Sequence, residues 1–221
     1  KLLWLREDEP NLFSRTAYFA DIKAYLFYRL FNEFKVDMSI ASSTGLMNLK
    51  TCDWDDQALR VAGITKDQLP EIVDGTTQAI GLVPEAQEKL GVPADTPFVY
   101  GAYDGALSNI GVGAIKQNTV AITIGTSAAV RVVTDHPVID PERRLFCYAI
   151  NKGLWVVGGP LNNGGDVYEW AVKHLVDSSA VKNEQVDPYT LANHAIEGVP
   201  AGAHGLLFHP FLGGERAPLW Y

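Results

Sequence analysis

Two runs of β-branched residues joined by a short polar tip constrain the fold of this chain most. Residues 119–124 and 128–133 are rich in Val, Ile and Thr, and Gly125-Thr126-Ser127 lies between them. Period-two alternation on both sides of a short turn predicts a β-hairpin. The tip offers backbone N–H groups and two hydroxyl groups, which are donors that suit a phosphate. An ordinary turn also favours glycine and serine, so the tip alone leaves both interpretations open.

A single carboxylate follows a short apolar strand. Residues 98–101 are predicted to form a buried strand and residues 106–113 a helix, which places Asp104 between small residues at the carboxyl end of the strand. Next to Gly105, such a carboxylate can meet a ligand closely because nothing bulky shields it. Alternatively, Asp104 caps the following helix, as aspartate commonly does.

Two glycines precede a further predicted helix. Gly164-Gly165 come directly before a segment with a helical apolar face. Glycines at that position let a ligand approach unpaired N–H donors and the positive end of the helix dipole. A flexible start of the helix is the alternative. The predicted apolar face consists of Val167, Trp170, Ala171 and His174.

Several other elements follow from local patterns. The sequence predicts helical pieces within residues 11–34, with Asp21 as a cap. Within them, Tyr25, Tyr28 and Phe31 are spaced as core residues of a helix, with sugar stacking as the alternative. We also predict strands at residues 145–150, 154–158 and 205–210, and a helix at residues 188–196.

These motifs together resemble the FGGY carbohydrate kinases. The resemblance is carried by AYDGALSNIGVGA at residues 102–114 and by TVAITIGTSAAVRVV at residues 119–133. It extends over nearly the whole chain and includes GGERAPLW at residues 213–220. Within the family, the NNGG phrase at residues 162–165 is most similar to the gluconate kinases.

The resemblance implies an α/β chain with the actin-like, ribonuclease H-like ATPase fold. Residues 1–115 would be the C-terminal part of the N-terminal, sugar-binding domain. Residues 116–221 would be the N-terminal part of the C-terminal, ATP-binding domain. The family's Asp-x-Gly-Thr phosphate loop and its adenine-binding Gly-Gly turn have no match here. We therefore expect an internal piece of the enzyme that is inactive in isolation.

The resemblance also implies roles for individual residues. Asp104 would be the catalytic base and would contact the sugar together with Gly105. The residues that would bind the nucleotide are Gly125, Thr126, Ser127, Gly164, Gly165 and Glu169. No metal ligand is expected within the chain, because the family's Mg²⁺-holding aspartate belongs to the unmatched phosphate loop.

The implied activity is phosphorylation of a sugar or sugar acid with ATP and Mg²⁺, most closely of D-gluconate to 6-phosphogluconate. Xylulose, glycerol or another sugar is an alternative substrate. A non-catalytic actin-like nucleotide-binding module is an alternative of a different class. The acid at position 104 argues against that module, because a scaffold needs no carboxylate at the end of that strand.

Composition excludes other classes of protein. The net charge of −8, without a basic cluster, disfavours nucleic acid and acidic membranes as partners. The chain has neither a signal peptide nor a long apolar span, and Cys52 and Cys147 share no motif, so a cytoplasmic location is predicted. A homodimer is a possible assembly. No P-loop motif and no zinc-like histidine spacing occurs.

Overall fold

The computed structural model describes residues 1–116, 118–176 and 187–220. The α-helices within these residues are α1 (Leu2–Asp8), α2 (Pro10–Arg15), α3 (Ile22–Phe31), α4 (Met38–Ser43), α5 (Asp56–Ala62), α6 (Pro84–Leu90), α7 (Asp104–Gly111), α8 (Gly165–Leu175) and α9 (Pro188–Glu197). The β-strands are β1 (Lys35–Asp37), β2 (Met47–Asn48), β3 (Asp53–Trp54), β4 (Glu71–Val73), β5 (Gln78–Ala79), β6 (Phe98–Val99), β7 (Val120–Ile124), β8 (Ala128–Thr134), β9 (Phe146–Asn151) and β10 (Leu154–Leu161). None of the helices in the described part of the chain is long and apolar enough to span a membrane.

Within the described residues, the strands pair in one larger sheet and three small ones. The four-stranded sheet has the order β7-β8-β10-β9. Strands β1 and β4 run parallel, with Asp37 opposite Val73. The pairs β2/β3 and β5/β6 are antiparallel. The predicted hairpin over residues 119–133 is therefore confirmed as β7 and β8, and the strands predicted at 145–150 and 154–158 as β9 and β10.

The chain divides into two compact units. The first comprises Lys1–Thr119, Val132–Val138 and Cys147–Val157, and the second comprises Val120–Arg131, Ile139–Phe146 and Gly158–Tyr221. In the first unit the largest buried apolar cluster includes Val36, Met38 and Ala41, from β1 and α4.

Helix α3 buries only part of the face that was predicted. Asp21 caps it as expected, since its side chain accepts hydrogen bonds from two backbone N–H groups of the first turn. Tyr25 and Tyr28, however, are each 47% exposed, so their predicted place in the core is wrong. Phe31 is buried as predicted, and Phe27 is buried as well, with its ring stacked on a neighbouring tyrosine. Around the helix axis Tyr28 lies about 100° and Tyr25 about 160° from Phe27, so both tyrosines leave the buried face.

The strand predicted for residues 205–210 does not form. Leu206, Leu207 and Phe208 are exposed, and among the described residues no strand pairs with this segment. The preceding residue His204 has a left-handed backbone conformation, and Pro210 lacks an N–H group for a ladder. This apolar run is therefore not part of any strand in the described residues.

Strand β7 carries an exposed apolar face. Val120, Ile122 and Ile124 alternate with inward-facing Ala121 and are 52%, 64% and 70% exposed. Since β7 is the terminal strand in the order of the four-stranded sheet, these side chains lie on a sheet edge.

Candidate active site

Asp104 is the first residue of α7 and not its cap. The helix begins two residues earlier than predicted, and Tyr103 occupies the N-cap position. The Asp104 side chain is exposed, and its Oδ1 atom accepts a hydrogen bond of 2.7 Å from the N–H of Gly105. The capping alternative for Asp104 is therefore wrong. A carboxylate in the first helical turn is stabilised by the positive end of the helix dipole and remains open to a ligand.

Close backbone contacts fix the turn that leads to Asp104. Gly101 donates a hydrogen bond of 2.7 Å to the carbonyl oxygen of Gly75 and has φ of +68°. A Cβ atom on Gly75 would collide with the Gly101 carbonyl oxygen. A Cβ atom on Gly105 would lie 2.5 Å from the Tyr103 ring. Glycine therefore suits position 101 by its left-handed backbone conformation and position 105 by its packing against Tyr103. Strand β6 ends at Val99, earlier than predicted.

An ion pair between Lys23 and Asp37 stabilises the same turn. The Lys23 Nζ atom lies 2.6 Å from Oδ2 of Asp37, which is fully buried. The same ammonium group donates to the carbonyl oxygens of Tyr100 at 3.0 Å and Ala102 at 3.4 Å. Asp37 also caps α4 by accepting a hydrogen bond from the Ile40 N–H. One lysine thus joins α3, α4 and the backbone that precedes the candidate base.

Burial makes the ionised form of the Asp37 carboxyl group less favourable. Burial raises the pKa of Asp37 above its ordinary value, although the hydrogen bonds from Lys23 and the Ile40 N–H act to lower the pKa. Sequence analysis missed both partners of the ion pair. The available signal was a lysine in the first turn of a mostly apolar helix.

In the second unit, the hairpin tip and the start of α8 are in main-chain contact. The Gly165 N–H donates a hydrogen bond of 2.6 Å to the carbonyl oxygen of Gly125. A Cβ atom on Gly164 would lie 2.7–2.8 Å from backbone atoms of Gly125 and Ser127. Two of the segments predicted to bind nucleotide therefore lie together, with Thr126 and Ser127 exposed at the tip.

The N–H groups at the start of α8 are already paired. Oδ1 of Asp166 accepts hydrogen bonds from the Gly164 N–H at 2.7 Å and from the Val167 N–H at 2.9 Å. The expectation of unpaired donors at this helix start is therefore wrong. The glycines serve close packing against the hairpin, and Asp166 occupies the place an external anion would take.

The remaining predicted site residue lies one turn further along α8. The half-exposed carboxylate of Glu169 forms an ion pair with Lys173. That hydrogen bond raises the pKa of Lys173. The predicted contact of Glu169 with the nucleotide stays a prediction. The apolar face predicted for α8 is partly wrong, since His174 is exposed and Val172 is buried.

We expect Gly164→Ala to lower stability, because the new methyl group would meet rigid backbone of the hairpin. Overpacking of this kind typically costs about 1–3 kcal/mol in the free energy of unfolding. Gly198→Ala is the matched control, since a Cβ atom there meets nothing within 4 Å. Urea denaturation of the full-length protein measures both. Equal stability of the two variants would contradict the packing assigned to Gly164.

Comparison with known proteins follows the two halves of the chain. The N-terminal domain of the FGGY family of carbohydrate kinases matches residues 1–111, and the C-terminal domain matches residues 120–221. This chain belongs to the FGGY family. The expected family and its α/β, actin-like fold are thereby confirmed. The boundary between residues 115 and 116 stays a prediction, as do the roles of the site residues.

The chain is similar to kinases that are named for two different substrates. The gluconokinase of Bacillus subtilis (strain 168) is 46% identical over 223 residues, which covers 100% of this chain and 43% of that protein. The crystal structure of a gluconate kinase from Lactobacillus acidophilus has a TM-score of 0.91 at 40% identity, covering 99% of this chain and 43% of that structure. A ligand-bound xylulose kinase from the same organism gives the same values. The chain thus spans less than half the length of these relatives.

Proposed function

We propose that the full-length protein containing this chain phosphorylates a sugar acid with ATP, and that it converts D-gluconate to 6-phosphogluconate. The observation that carries the proposal is the exposed carboxylate of Asp104, at the first residue of α7 on a turn fixed by glycines. The similarity to the Bacillus subtilis gluconokinase favours gluconate. Xylulose is the second candidate, because the xylulose kinase structure is as similar as the gluconate kinase structure.

In the proposed mechanism Asp104 acts as general base. Its carboxylate accepts the proton of a sugar hydroxyl as that oxygen attacks the terminal phosphorus of ATP. The bond from this phosphorus to the β,γ-bridging oxygen breaks at the same time, and ADP leaves. A carboxylate suffices because the hydroxyl group becomes more acidic as its bond to phosphorus forms. Gly105, the next residue, is proposed to contact the sugar together with this carboxylate.

The nucleotide is proposed to bind at the second unit. The hairpin tip supplies the hydroxyl groups of Thr126 and Ser127 and the main chain of Gly125 to the phosphates. Gly164 and Gly165 keep α8 against that tip. Glu169 is proposed to contact the nucleotide from the next turn of α8.

Mg²⁺ would spread charge over the β- and γ-phosphates of the bound nucleotide. In residues 1–116, 118–176 and 187–220, no three His, Cys, Asp or Glu side chains form a group that could hold a metal ion. We therefore assign no residue of the chain to the metal. A cytoplasmic location and a homodimeric assembly stay predictions.

A coupled ADP-release assay on the full-length protein tests the substrate. We expect a higher kcat/KM for gluconate than for xylulose or glycerol. A higher kcat/KM for xylulose would overturn gluconate as the substrate, while the proposed kinase activity would stand. ATP binding without turnover of any sugar or sugar acid would favour the non-catalytic module.

A further inference from the structure

We propose that Glu215 is a positioning residue for the phosphate-binding end of the second unit. Its buried carboxylate fixes Asn162 and Asn163, and through them the packing of Gly164 and Gly165 against the hairpin tip. The inference rests on the proposed nucleotide binding and assigns a role to a side chain that touches neither substrate.

The carboxylate of Glu215 is almost completely buried and fully engaged. The side chain is 4% exposed. Its Oε1 atom accepts hydrogen bonds from the backbone N–H of Asn162 at 2.5 Å and of Arg216 at 2.7 Å. Its Oε2 atom accepts one from the Asn163 side-chain amide at 2.9 Å, and that amide also donates to the Gly214 carbonyl oxygen. Neutral donors therefore surround a buried acid.

These donors keep the group ionised. Burial acts to raise the pKa of Glu215, but hydrogen bonds from the Asn163 side chain and from the backbone of Asn162 and Arg216 outweigh it, so the pKa lies below its ordinary value. A carboxylate can accept all of these hydrogen bonds at once, because both oxygens are acceptors. A neutral amide in its place could not.

The residues held by Glu215 lead directly into the contact with the hairpin. Asn163 precedes Gly164, whose Cα atom faces the backbone of Ser127 and Gly125. Gly165 follows and donates its N–H to the Gly125 carbonyl oxygen. A shift of Asn163 therefore displaces the first turn of α8 from the tip. Because this contact is between main chains, no long side chain can adapt to absorb the shift.

Other hydrogen bonds keep the two segments adjacent without Glu215. The Ala217 N–H donates to the Pro160 carbonyl oxygen at 3.0 Å. The Arg216 Nη2 atom donates to the Leu161 carbonyl oxygen at 3.1 Å. Glu215 is thus not needed to bring the segments together. Its separate contribution is the orientation of Asn162 and Asn163.

Glu215→Gln in the full-length protein tests the proposal. In either orientation the new amide sets an N–H donor against another donor, at Asn162 and Arg216 or at Asn163. We expect the Kd for Mg·ADP, measured by calorimetry, and the KM for ATP to rise about tenfold, the lower end of the losses seen when residues that orient metal ligands are replaced. The KM for gluconate should change by less than about twofold, because this site holds the nucleotide.

Two further variants separate positioning from general stability. Glu142→Gln changes an exposed acid of the same unit and should leave the Kd for Mg·ADP unchanged. Asn163→Ala removes the side-chain partner of Glu215 and should raise that Kd as well. The double variant Asn163→Ala/Glu215→Gln should be no weaker than Glu215→Gln alone, since residues that act through one contact are not additive. If Glu215→Gln does not fold, the Kd of Asn163→Ala alone decides.

The outcomes distinguish this inference from the proposed function. An unchanged Kd in a folded Glu215→Gln variant, or additive effects in the double variant, would overturn the positioning role while the wild-type kinase activity stands. The positioning role would also be overturned if the variant lost affinity for ATP and for gluconate equally, and in proportion to the folded protein that it lost. A wild-type protein that does not bind Mg·ADP would overturn the proposed function together with this inference.

Discussion

Asp104→Asn in the full-length protein is expected to lower kcat by about 10²–10⁴-fold, the usual contribution of a general base. Asparagine keeps the size of the side chain and can still accept the hydrogen bond from Gly105, which is 2.7 Å long in the native structure. It cannot take a proton from the sugar. The KM for ATP should change little, because the carboxylate is proposed to face the sugar hydroxyl. Steady-state kinetics with varied ATP and gluconate measure both constants.

Asp56→Asn is the matched control for this prediction. Asp56 is also an exposed first residue of a helix, α5, so its replacement removes the same favourable interaction with a helix dipole. It should leave kcat unchanged. Thr126→Ala should behave differently from both, by raising the KM for ATP as well as lowering kcat. If Asp104→Asn kept more than roughly a tenth of kcat while its Tm fell sharply, Asp104 would be a structural residue only.

Lys23→Met is expected to destabilise the full-length protein by about 3 kcal/mol at neutral pH, because it leaves the buried Asp37 charge without its partner. The side chain of Lys23 is 24% exposed, which places the effect toward the lower end for a buried pair. Methionine preserves the apolar stem of the lysine, so the loss is mainly electrostatic. Lys89→Met breaks an exposed i,i+4 ion pair and should cost less than about 0.5 kcal/mol.

The pH dependence of the stability loss in Lys23→Met tests whether the buried charge of Asp37 causes that loss. A carboxyl group with a folded pKa above its unfolded pKa stabilises the fold most below the unfolded pKa, and this contribution is lost as the pH rises through the folded pKa. The pKa of Asp37 is already raised, and loss of the Lys23 hydrogen bond raises it further. The stability that Lys23→Met loses relative to the wild type should therefore become smaller as the pH falls through the raised pKa of Asp37.

A double variant checks the same point at neutral pH. Lys23→Met/Asp37→Asn removes both charges and should recover much of the lost stability, since neither group then needs a counter-charge. Urea denaturation at several pH values measures all of these variants. A deficit that is the same at every pH, with no recovery in the double variant, would mean that Lys23 acts through packing alone.

Local patterns in the sequence predicted elements better than contacts. The alternation around Gly125 was enough to predict β7 and β8, and the helices predicted after Gly165 and at residues 188–196 are α8 and α9. Burial within a helix was less predictable, because Tyr25 and Phe27 have similar apolar rings but lie on different faces of α3. The strand expected at residues 205–210 failed because a strand depends on a partner that its own residues do not specify.

The candidate site shows the same division. The neighbours of Asp104 in the sequence predicted an unshielded carboxylate between a strand and a helix, but not that it is the first residue of α7. The ion pair of Lys23 with Asp37 joins residues 14 positions apart, and Glu215 binds Asn162 across 53 positions. No motif connects such pairs, because each depends on how distant segments pack. Buried polar contacts of this kind require a structure.

The edge strand β7 has a practical consequence for handling the chain by itself. Its segment Thr119–Ile124 contains neither a charge nor a proline, and three of its β-branched side chains face outward. Such an edge is a template for pairing with another copy, and natural proteins usually protect it with lysine, proline or a covering segment. Samples of the isolated chain should therefore self-associate through this hairpin while the fold is still intact. Solubility, and not unfolding, would then set the concentration at which the chain can be studied.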